Sequence, residues 1–501
     1  MQSVLIANRG EIAVRIIRAC REVGLRSIAV CSEPDSNALH VRLADSYCMI
    51  GPAPAAQSYL SIPAILAAAR MSGADAVHPG YGFLSERADF AAACAEAGLV
   101  FIGPQAEVIH ALGDKIAARS AMEAVGVPVT PGYGGASQND KDLLSAAKRI
   151  GFPVIIKAAA GGGGRGMRVV SEPAHFPEFL AEARREAVAA FGDERVLIER
   201  YIQNSRHVEF QIFGDAHGGR VHLFERDCSI QRRHQKIIEE SPCPALSGEL
   251  RDRMAASALL VANTAGYTNA GTVEFLLEVN PEGAGKFYFM EVNTRLQVEH
   301  PVTEMVTGID LVQLQLRTAA KSPLPFKQEQ ISQRGHCIEV RIYAESPSNS
   351  FLPSVGKLHR WIEPRGVGIR VDSGVTEGDS VAPYYDPMLA KLIVHAETRE
   401  QALHRLRTAL DEFCVLGIDT NIPYLQAIVD NAVFRSGEAT TRLLAESFSA
   451  WSLSEHIPEP VLCALAANAL EPALSHGRSG TARVGPRAVS PWHAANAWRN
   501  S

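Results

Sequence analysis

The chain has 501 residues, of which 47% are hydrophobic and 21% charged, with a formal net charge of −6. This composition excludes disorder as the main state, and a prior of roughly 150 residues per domain predicts about three domains. No run of about 18 apolar residues predicts a membrane span, the first residues lack the basic and apolar regions of a signal peptide, and the acidic balance argues against a nucleic-acid partner.

Residues 3–7 form a short apolar run that ends in the turn Asn8-Arg9-Gly10. A helical pattern follows, with Ile12, Ile16, Ile17, Cys20 and Val23 on one face and Gly24 closing it. Ser27 to Cys31 reads as a second strand, so the chain opens with a βαβ unit and a parallel α/β sheet. No Gly-x-Gly-x-x-Gly follows the first strand, so a dinucleotide fingerprint is not supported. Strands are predicted at Ala74 to His78 and Leu99 to Ile102. A boundary falls near Gly113-Asp114-Lys115, and a cluster of Pro and Gly spans Pro128 to Gly135. Pro153 to Lys157 and Met167 to Val170 read as strands around a glycine loop. They are followed by a helix at about 175–190, a strand at Arg195 to Glu199, strands at about 207–213 and 220–225, and hairpins to about residue 300. Residues 321–327 read as a linker, 335–396 as short strands with turns, 399–447 as mostly helical, and 448–501 as a compositionally distinct tail carrying Trp451, Trp492 and Trp498.

Nine cysteines, with no Cys-x-x-Cys, fit reduced thiols in the cytosol or a similar compartment better than disulfides or zinc. Lys157 ends a buried strand and Gly161 to Gly164 follow, with Arg165-Gly166 behind them. Successive glycines let backbone N–H groups approach phosphate oxygens. This is not a Walker A loop: Gly285-Lys286 is followed by Phe287, where that motif needs Ser or Thr.

Gly271 to Leu277 and Phe287 to Asn293 alternate like half-buried strands around turn residues at Asn280 to Gly285. A turn centred there places Glu274 directly opposite Glu291. Like charges so placed destabilise a ladder, and a divalent cation removes the conflict. With Asn293 on the same face, the donors are hard oxygens suited to Mg²⁺ or Mn²⁺ beside nucleotide phosphates. A solvent-facing glutamate pair is the alternative. If the chain stays extended, Glu291, Asn293, Arg295, Gln297 and Glu299 share one face, where Arg295 can hold a small anion and Glu299 can act as a base. The run Arg226 to Lys236 is basic but flanked by acids, which favours a phosphate or bicarbonate site over nucleic acid.

Leu5 to Ala13, His78-Pro-Gly-Tyr-Gly-Phe-Leu-Ser-Glu86, Gly113-Asp-Lys115, the glycine loop, Glu225 to Lys236 and Glu291 to Glu304 together resemble biotin carboxylase, an ATP-grasp family. The resemblance runs from residue 1 to about 447. It implies an N-terminal Rossmann-like α/β domain at 1–113, an ATP-grasp domain at 114–320 with a mobile lid at about 131–203, and a C-terminal domain of mixed strands and helices at 335–447. It further implies that ATP is bound by Lys115, Lys157, Gly163, Gly164, Glu199, Arg200, Tyr201, Ile202, His207, Gln231, His234, Glu274, Leu276 and Glu291. Magnesium or manganese falls to Glu274, Glu291 and Asn293, and bicarbonate to Lys236, Arg295, Gln297 and Val298. Glu299 becomes the general base, Arg341 the stabiliser of the biotin enolate, and Tyr81 a further wall of the biotin pocket. The implied reaction is ATP-dependent carboxylation of biotin through carboxyphosphate.

Tyr384 to Lys391 is similar to the α-subunits of methylcrotonyl-, geranyl- or propionyl-CoA carboxylases, and Ser490-Pro-Trp492 and Ala497-Trp498-Arg499 to the segment that opens their next domain. A biotin carrier domain or protein and a carboxyltransferase subunit are therefore expected partners. Homodimers are common in the family, and the expected compartment is the cytoplasm, or a mitochondrial matrix-like one in a eukaryote. None of the ten lysines is flanked by Met, so biotin is expected to arrive on another domain or chain. The rival enzyme reading is another carboxyphosphate-forming ATP-grasp ligase, as in carbamoyl-phosphate synthesis. A non-enzymatic nucleotide-binding regulator would require losses among Glu274, Glu291, Arg295 or Lys236, and none is lost.

Overall fold

Parallel pairing organises the N-terminal part. In the computed structural model, which describes residues 1–160, 167–233, 235–279, 285–453 and 461–463, the strand Ser3–Ile6 pairs in parallel with both Arg26–Ser32 and Ala76–His78. The crossover helix Gly10–Glu22 buries Ile12, Ile16, Ile17 and Cys20, the apolar face expected from its spacing. The strand Ser46–Gly51 forms one edge of this five-stranded sheet and Val100–Phe101 the other. That edge strand was not foreseen. Its Tyr47 and Met49 alternate outward to solvent, although Tyr47 to Ile50 is a four-residue apolar run that was a signal in the sequence.

Residues in the expected lid form a four-stranded antiparallel sheet of Gly132–Tyr133, Val196–Arg200, Val154–Ala158 and Arg168–Val170. The helices Asp140–Ile150 and Phe176–Phe191 cover it with a small core that includes Leu143, Ala147, Phe176 and Leu180.

An eight-stranded antiparallel sheet carries most of the chemistry. Its order is Phe287–Asn293, Asn269–Glu278, Ser205–Gly214, Arg220–Arg232, Gln235–Ser241, His336–Tyr343, Met388–Ala396 and Ile369–Ser373. The pairing of Gln235–Ser241 with His336–Tyr343 makes this sheet continuous across the segment 321–327. The helix Gly248–Thr264 packs on one part of it through Met254, Ala258 and Val261. The helices Arg399–Glu412 and Ile422–Asp430 pack on another through Leu403, Leu406, Leu425 and Ile428. Leu296, fully buried, joins the core of the first helix and of Leu311, Val312 and Leu314. This anchors the loop on which Arg295 and Gln297 stand, and truncating such a leucine to alanine costs about 2–5 kcal/mol.

Ser452–Ser501 is a separate unit. Trp492 and Trp498, expected to open a further domain, lie outside the described residues. Among the described residues no helix is long and apolar enough to cross a membrane, and the nine cysteines are unbridged.

Candidate active site

The hairpin brings Thr272, Val273 and Glu274 opposite Asn293, Val292 and Glu291, the pairing expected from a turn centred on 280–285. Beyond Glu274 the register slips by one, so that Phe275 faces Phe289. A bulge at this point absorbs the extra residue. Of the turn itself, Asn280 to Ala284 lie outside the described residues.

The polar row is not extended. The strand ends at Asn293, the chain turns through 294–299, and Glu299 occupies the N-cap position of the helix His300–Thr307, whose second residue is Pro301. A proline there suits the first turn of a helix. Arg295, Gln297 and Glu299 still converge, because the turn folds them over the sheet: Arg295 Nη1 donates to Gln297 Oε1 at 3.0 Å, and Gln297 Nε2 donates to Glu274 Oε1 at 3.3 Å. Val298, placed on the opposite face by the extended reading, lines the same cavity.

That cavity has a volume of about 540 Å³ and is lined by Lys115, Lys157, Lys236, Glu274, Arg295 and Arg341 among others. Lys236 sits at its floor, with Nζ 2.5 Å from Glu209 Oε2, 2.9 Å from Glu274 Oε1 and 2.7 Å from Glu299 Oε1. Burial opposes charge on this lysine, but the three carboxylates hold its pKa well above the ordinary lysine value. Burial likewise opposes ionisation of Glu299, yet Lys236, Arg341 and Arg226 hold it well below the carboxylate range. Arg341 Nη2 lies 3.1 Å from Glu299 Oε2 and 2.6 Å from Glu239 Oε1. Glu299 is therefore ionised and oriented between two cations, the state a base requires.

Glu274 is also held well below its usual value, against burial, by Lys236 and then His207. Asn293 Nδ2 donates to it at 2.7 Å, and His207 Nε2 lies 3.0 Å away. Glu274 raises the His207 pKa against the effect of burial, and Gln231 Nε2 is 2.6 Å from His207 Nδ1. Lys115 begins the helix Lys115–Ala124, capped by Asp114 Oδ1 accepting from Ile116 N and Ala117 N. A cation is disfavoured at that dipole end, and Glu291 Oε2 at 2.9 Å offsets it. Lys157 meets Glu199 Oε2 at 2.5 Å.

Other expected residues sit at the margins. Ile202 is buried, Arg200 pairs with Glu278 and Tyr288, and Tyr201 lines a separate 370 Å³ cleft with both. Leu276 pairs with His207 across strands, and neither it nor Tyr81 lines the 540 Å³ cavity. The Tyr81 ring instead lies 5.9 Å from Lys391 Nζ. Gly163, Gly164 and His234 lie outside the described residues.

Several partners of these groups were missed. Glu86 holds Arg295 Nε at 3.0 Å, Glu239 holds Arg341, and the fully buried Arg226 bonds Glu209 Oε1 at 2.6 Å and also Gln211, Thr303 and Thr272. Glu86 ends one of the motifs, which was a signal available in the sequence. Donor sets for a divalent cation are offered by Glu274 and Glu291, facing each other in the hairpin register with Asn293 beside them, and by the clusters His207, Glu209 and Glu274, and Glu209, Cys228 and Glu299. Cations already hold carboxylates of every set, Lys236 on Glu209, Glu274 and Glu299 and Lys115 on Glu291; the hairpin set is the one made of oxygen donors alone, which suits Mg²⁺ or Mn²⁺.

Residues 1–109 match the biotin carboxylase N-terminal domain, 114–327 the ATP-binding domain of the carbamoyl-phosphate synthase L chain, and 339–446 the biotin carboxylase C-terminal domain. Biotin carboxylase 1 of Bacillus subtilis is 49% identical over 444 residues, 89% of this chain and 98% of that protein. The mitochondrial methylcrotonoyl-CoA carboxylase subunit alpha of Dictyostelium discoideum is 51% identical over 439 residues, 87% of this chain and 62% of that subunit. The chain thus spans less than two thirds of that relative. Among solved structures, the Campylobacter jejuni biotin carboxylase complexed with beta-gamma-ATP superposes with a TM-score of 0.86 at 47% identity, covering 89% of this chain and 98% of that one. The biotin carboxylase domain dimer of the Hydrogenobacter thermophilus 2-oxoglutarate carboxylase, in complex with MgADP, ADP and bicarbonate, gives 0.87 at 45%, covering 91% and 99%.

The fold and the cationic cavity, walled in part by Lys157, Ala158 and Leu197 of the four-stranded sheet, define an ATP-grasp enzyme. The ATP-binding module alone is shared with carbamoyl-phosphate synthases, but both flanking domains are specific. The chain belongs to the biotin carboxylase family.

Proposed function

We propose that the cavity carboxylates biotin with bicarbonate and ATP, as the first half-reaction of a biotin-dependent acyl-CoA carboxylase. The observation that carries this reading is the fully buried Glu299 carboxylate held between Lys236 and Arg341 at 2.7 and 3.1 Å. Bicarbonate is a weak nucleophile. In this scheme Arg295 and Lys236 hold its charge, Gln297 and the Val298 backbone orient it, and Glu299 removes its proton. The resulting dianion attacks the γ-phosphate of ATP, ADP departs, and carboxyphosphate decomposes to CO₂ and phosphate. Phosphate, or Glu299 once it has passed its first proton to that phosphate, then takes the ureido N–H proton of biotin, Arg341 stabilises the enolate, and the ring nitrogen captures CO₂. Lys115 and Lys157 meet the ATP phosphates, with Gly163 and Gly164 as their backbone cover, and His207, Gln231, His234, Leu276 and Glu199 to Ile202 complete the nucleotide site.

Glu274, Glu291 and Asn293 would hold Mg²⁺ or Mn²⁺, which when bound offsets the charge on the phosphates. Closure of the lid over the cavity would exclude water from carboxyphosphate. Biotin reaches the cavity on a carrier domain or protein and passes its carboxyl group to a carboxyltransferase subunit. Homodimerisation is supported by the dimeric relative.

The test is bicarbonate-dependent ATP cleavage stimulated by free biotin, with carboxybiotin as product. A folded protein whose ATP cleavage is unaffected by biotin refutes the reading, and ammonia acting as acceptor would point to carbamoyl-phosphate chemistry instead.

A further inference from the structure

Two buried charges lie outside the reaction scheme. Glu11 belongs to the motif Leu5 to Ala13 and sits on the helix Gly10–Glu22; Lys391 closes the motif Tyr384 to Lys391 in the strand Met388–Ala396. The Lys391 side chain is 0% exposed and that of Glu11 2%. Cross-strand pairing sets Lys391 opposite Arg341 on one side and Asp372 on the other. Its ammonium donates to the Val298 carbonyl at 2.8 Å, and lies 3.3 Å from Glu11 Oε1 and 4.0 Å from Asp372 Oδ2. Neither oxygen of Glu11 accepts a hydrogen bond, so the carboxylate acts on Lys391 through charge.

The contacted carbonyl is well placed to matter. Val298 lines the cavity, and its carbonyl belongs to the peptide that leads into Glu299. The preceding carbonyl, that of Gln297, is 2.8 Å from His300 Nδ1. The turn 294–299 has no ladder of its own and is pinned from below by these two side chains and by buried Leu296. Filling this space would need only a methionine. A buried ammonium is costly to desolvate, and what it adds is a charge-assisted bond of defined direction to one carbonyl.

We propose that Lys391, balanced by Glu11, is a positioning residue for carboxylation: it fixes the Val298–Glu299 peptide and so aims both the anion-holding turn and the base. This rests on the function proposed above. It makes the N-terminal domain, through Glu11, part of the support of a base carried by another part of the chain. Burial opposes ionisation of Glu11 and raises its pKa to about 7, with Lys391 and Arg370 lowering it and Asp372 raising it. The pair is thus close to losing its charge balance, and the lysine, not the acid, carries the positioning contact.

The experiment compares Lys391→Met, Lys391→Met with Glu11→Gln, and Glu11→Gln alone. Assays are bicarbonate-dependent ATP cleavage and biotin carboxylation, and each protein's thermal midpoint is measured. Lys391→Met is expected to raise the bicarbonate KM and lower kcat by about 10- to 100-fold together, the scale of a small misplacement at an oriented site, while the ATP KM stays within about twofold. The double variant removes the unpaired acid and is expected to recover thermal stability without recovering the bicarbonate KM. Glu11→Gln alone keeps the bond to Val298 and should retain a near-normal KM.

Recovery of KM together with stability in the double variant would show a merely structural pair and overturn the proposal. So would an unchanged KM in every variant, or failure of both Lys391 variants to fold, since the lysine would then serve folding. An inactive wild type would instead count against the proposed function.

Discussion

Replacing Lys236 with methionine removes one ammonium from among three buried carboxylates, and the structure sets the size of the effect. Breaking a buried ion pair by removing one partner costs about 3–5 kcal/mol. Three such losses do not add here, because each acid keeps another partner: Glu209 keeps Arg226 at 2.6 Å, Glu274 keeps Asn293 at 2.7 Å, and Glu299 keeps Arg341 at 3.1 Å. The expected loss is therefore that of about one pair, ~3–5 kcal/mol near pH 8.

The pH dependence carries a definite sign. Glu274 and Glu299 have folded pKa values held below their unfolded ones, so they add stability above about pH 4.3, which is lost as pH falls through the folded values. Without Lys236 their folded values rise, because burial is then opposed only by Arg341 and Arg226 at Glu299 and by His207 at Glu274. The variant then takes up protons at pH 5 that the wild type does not, and its deficit shrinks there. Thermal midpoints of both proteins at pH 8 and pH 5 measure this, alongside bicarbonate-dependent ATP cleavage, expected to fall at least about 10²-fold as for a lost oxyanion donor. An equal deficit at the two pH values would refute the electrostatic account and leave only packing.

Glu299→Gln keeps shape and removes the base, so turnover should fall about 10²- to 10⁴-fold while equilibrium dialysis shows ATP binding intact; unchanged turnover would remove the assigned role. Glu86→Gln frees Arg295 from a partner that is 42% exposed. Such a pair is worth up to about 1 kcal/mol, and an anion taking over Arg295 no longer has it to open, which predicts a bicarbonate KM lowered by no more than about fivefold; a KM raised well beyond that would mean that Glu86 touches substrate. Glu291→Gln should shift the Mg²⁺ or Mn²⁺ concentration for half-maximal activity upward, and an unmoved titration would place the cation on other donors.

The facing glutamates were legible because an antiparallel hairpin with a short turn leaves little freedom: alternation sets the face, and the turn sets the register. The slip at Phe275 was not, since a bulge inserts a residue without changing the apolar pattern around it. The bend at 294–299 had a signal, the His300-Pro301 start of a helix, which outweighs the apparent alternation of Glu291 to Glu299. Glu209, Glu239 and Arg226 were hidden for a different reason. They occupy strands whose alternating polar residues read as a solvent face, whereas central strands of an eight-stranded sheet turn that face into a closed cavity. Which polar stripe meets water and which meets another charge depends on long-range strand order, and local spacing does not encode it.

The ion pairs themselves divide the cavity in two. Arg295 and Lys115 are paired with acids that stay in contact with solvent, Glu86 at 42% and Glu291 at 25% side-chain exposure. Pairs of that kind cost little to open, so an incoming anion can take over the cation. Lys236 and Arg341 are paired with Glu209, Glu239 and Glu299, all at 0%, and these pairs cannot separate without stranding a buried charge. On the proposed reading, the yielding pairs admit bicarbonate and phosphate, and the fixed ones keep the base and the enolate stabiliser aligned while the substrates change around them. An acid that ionises only because two cations flank it is a base whose strength is set by geometry. The contacts that hold those cations therefore matter as much to the chemistry as the residues that touch substrate.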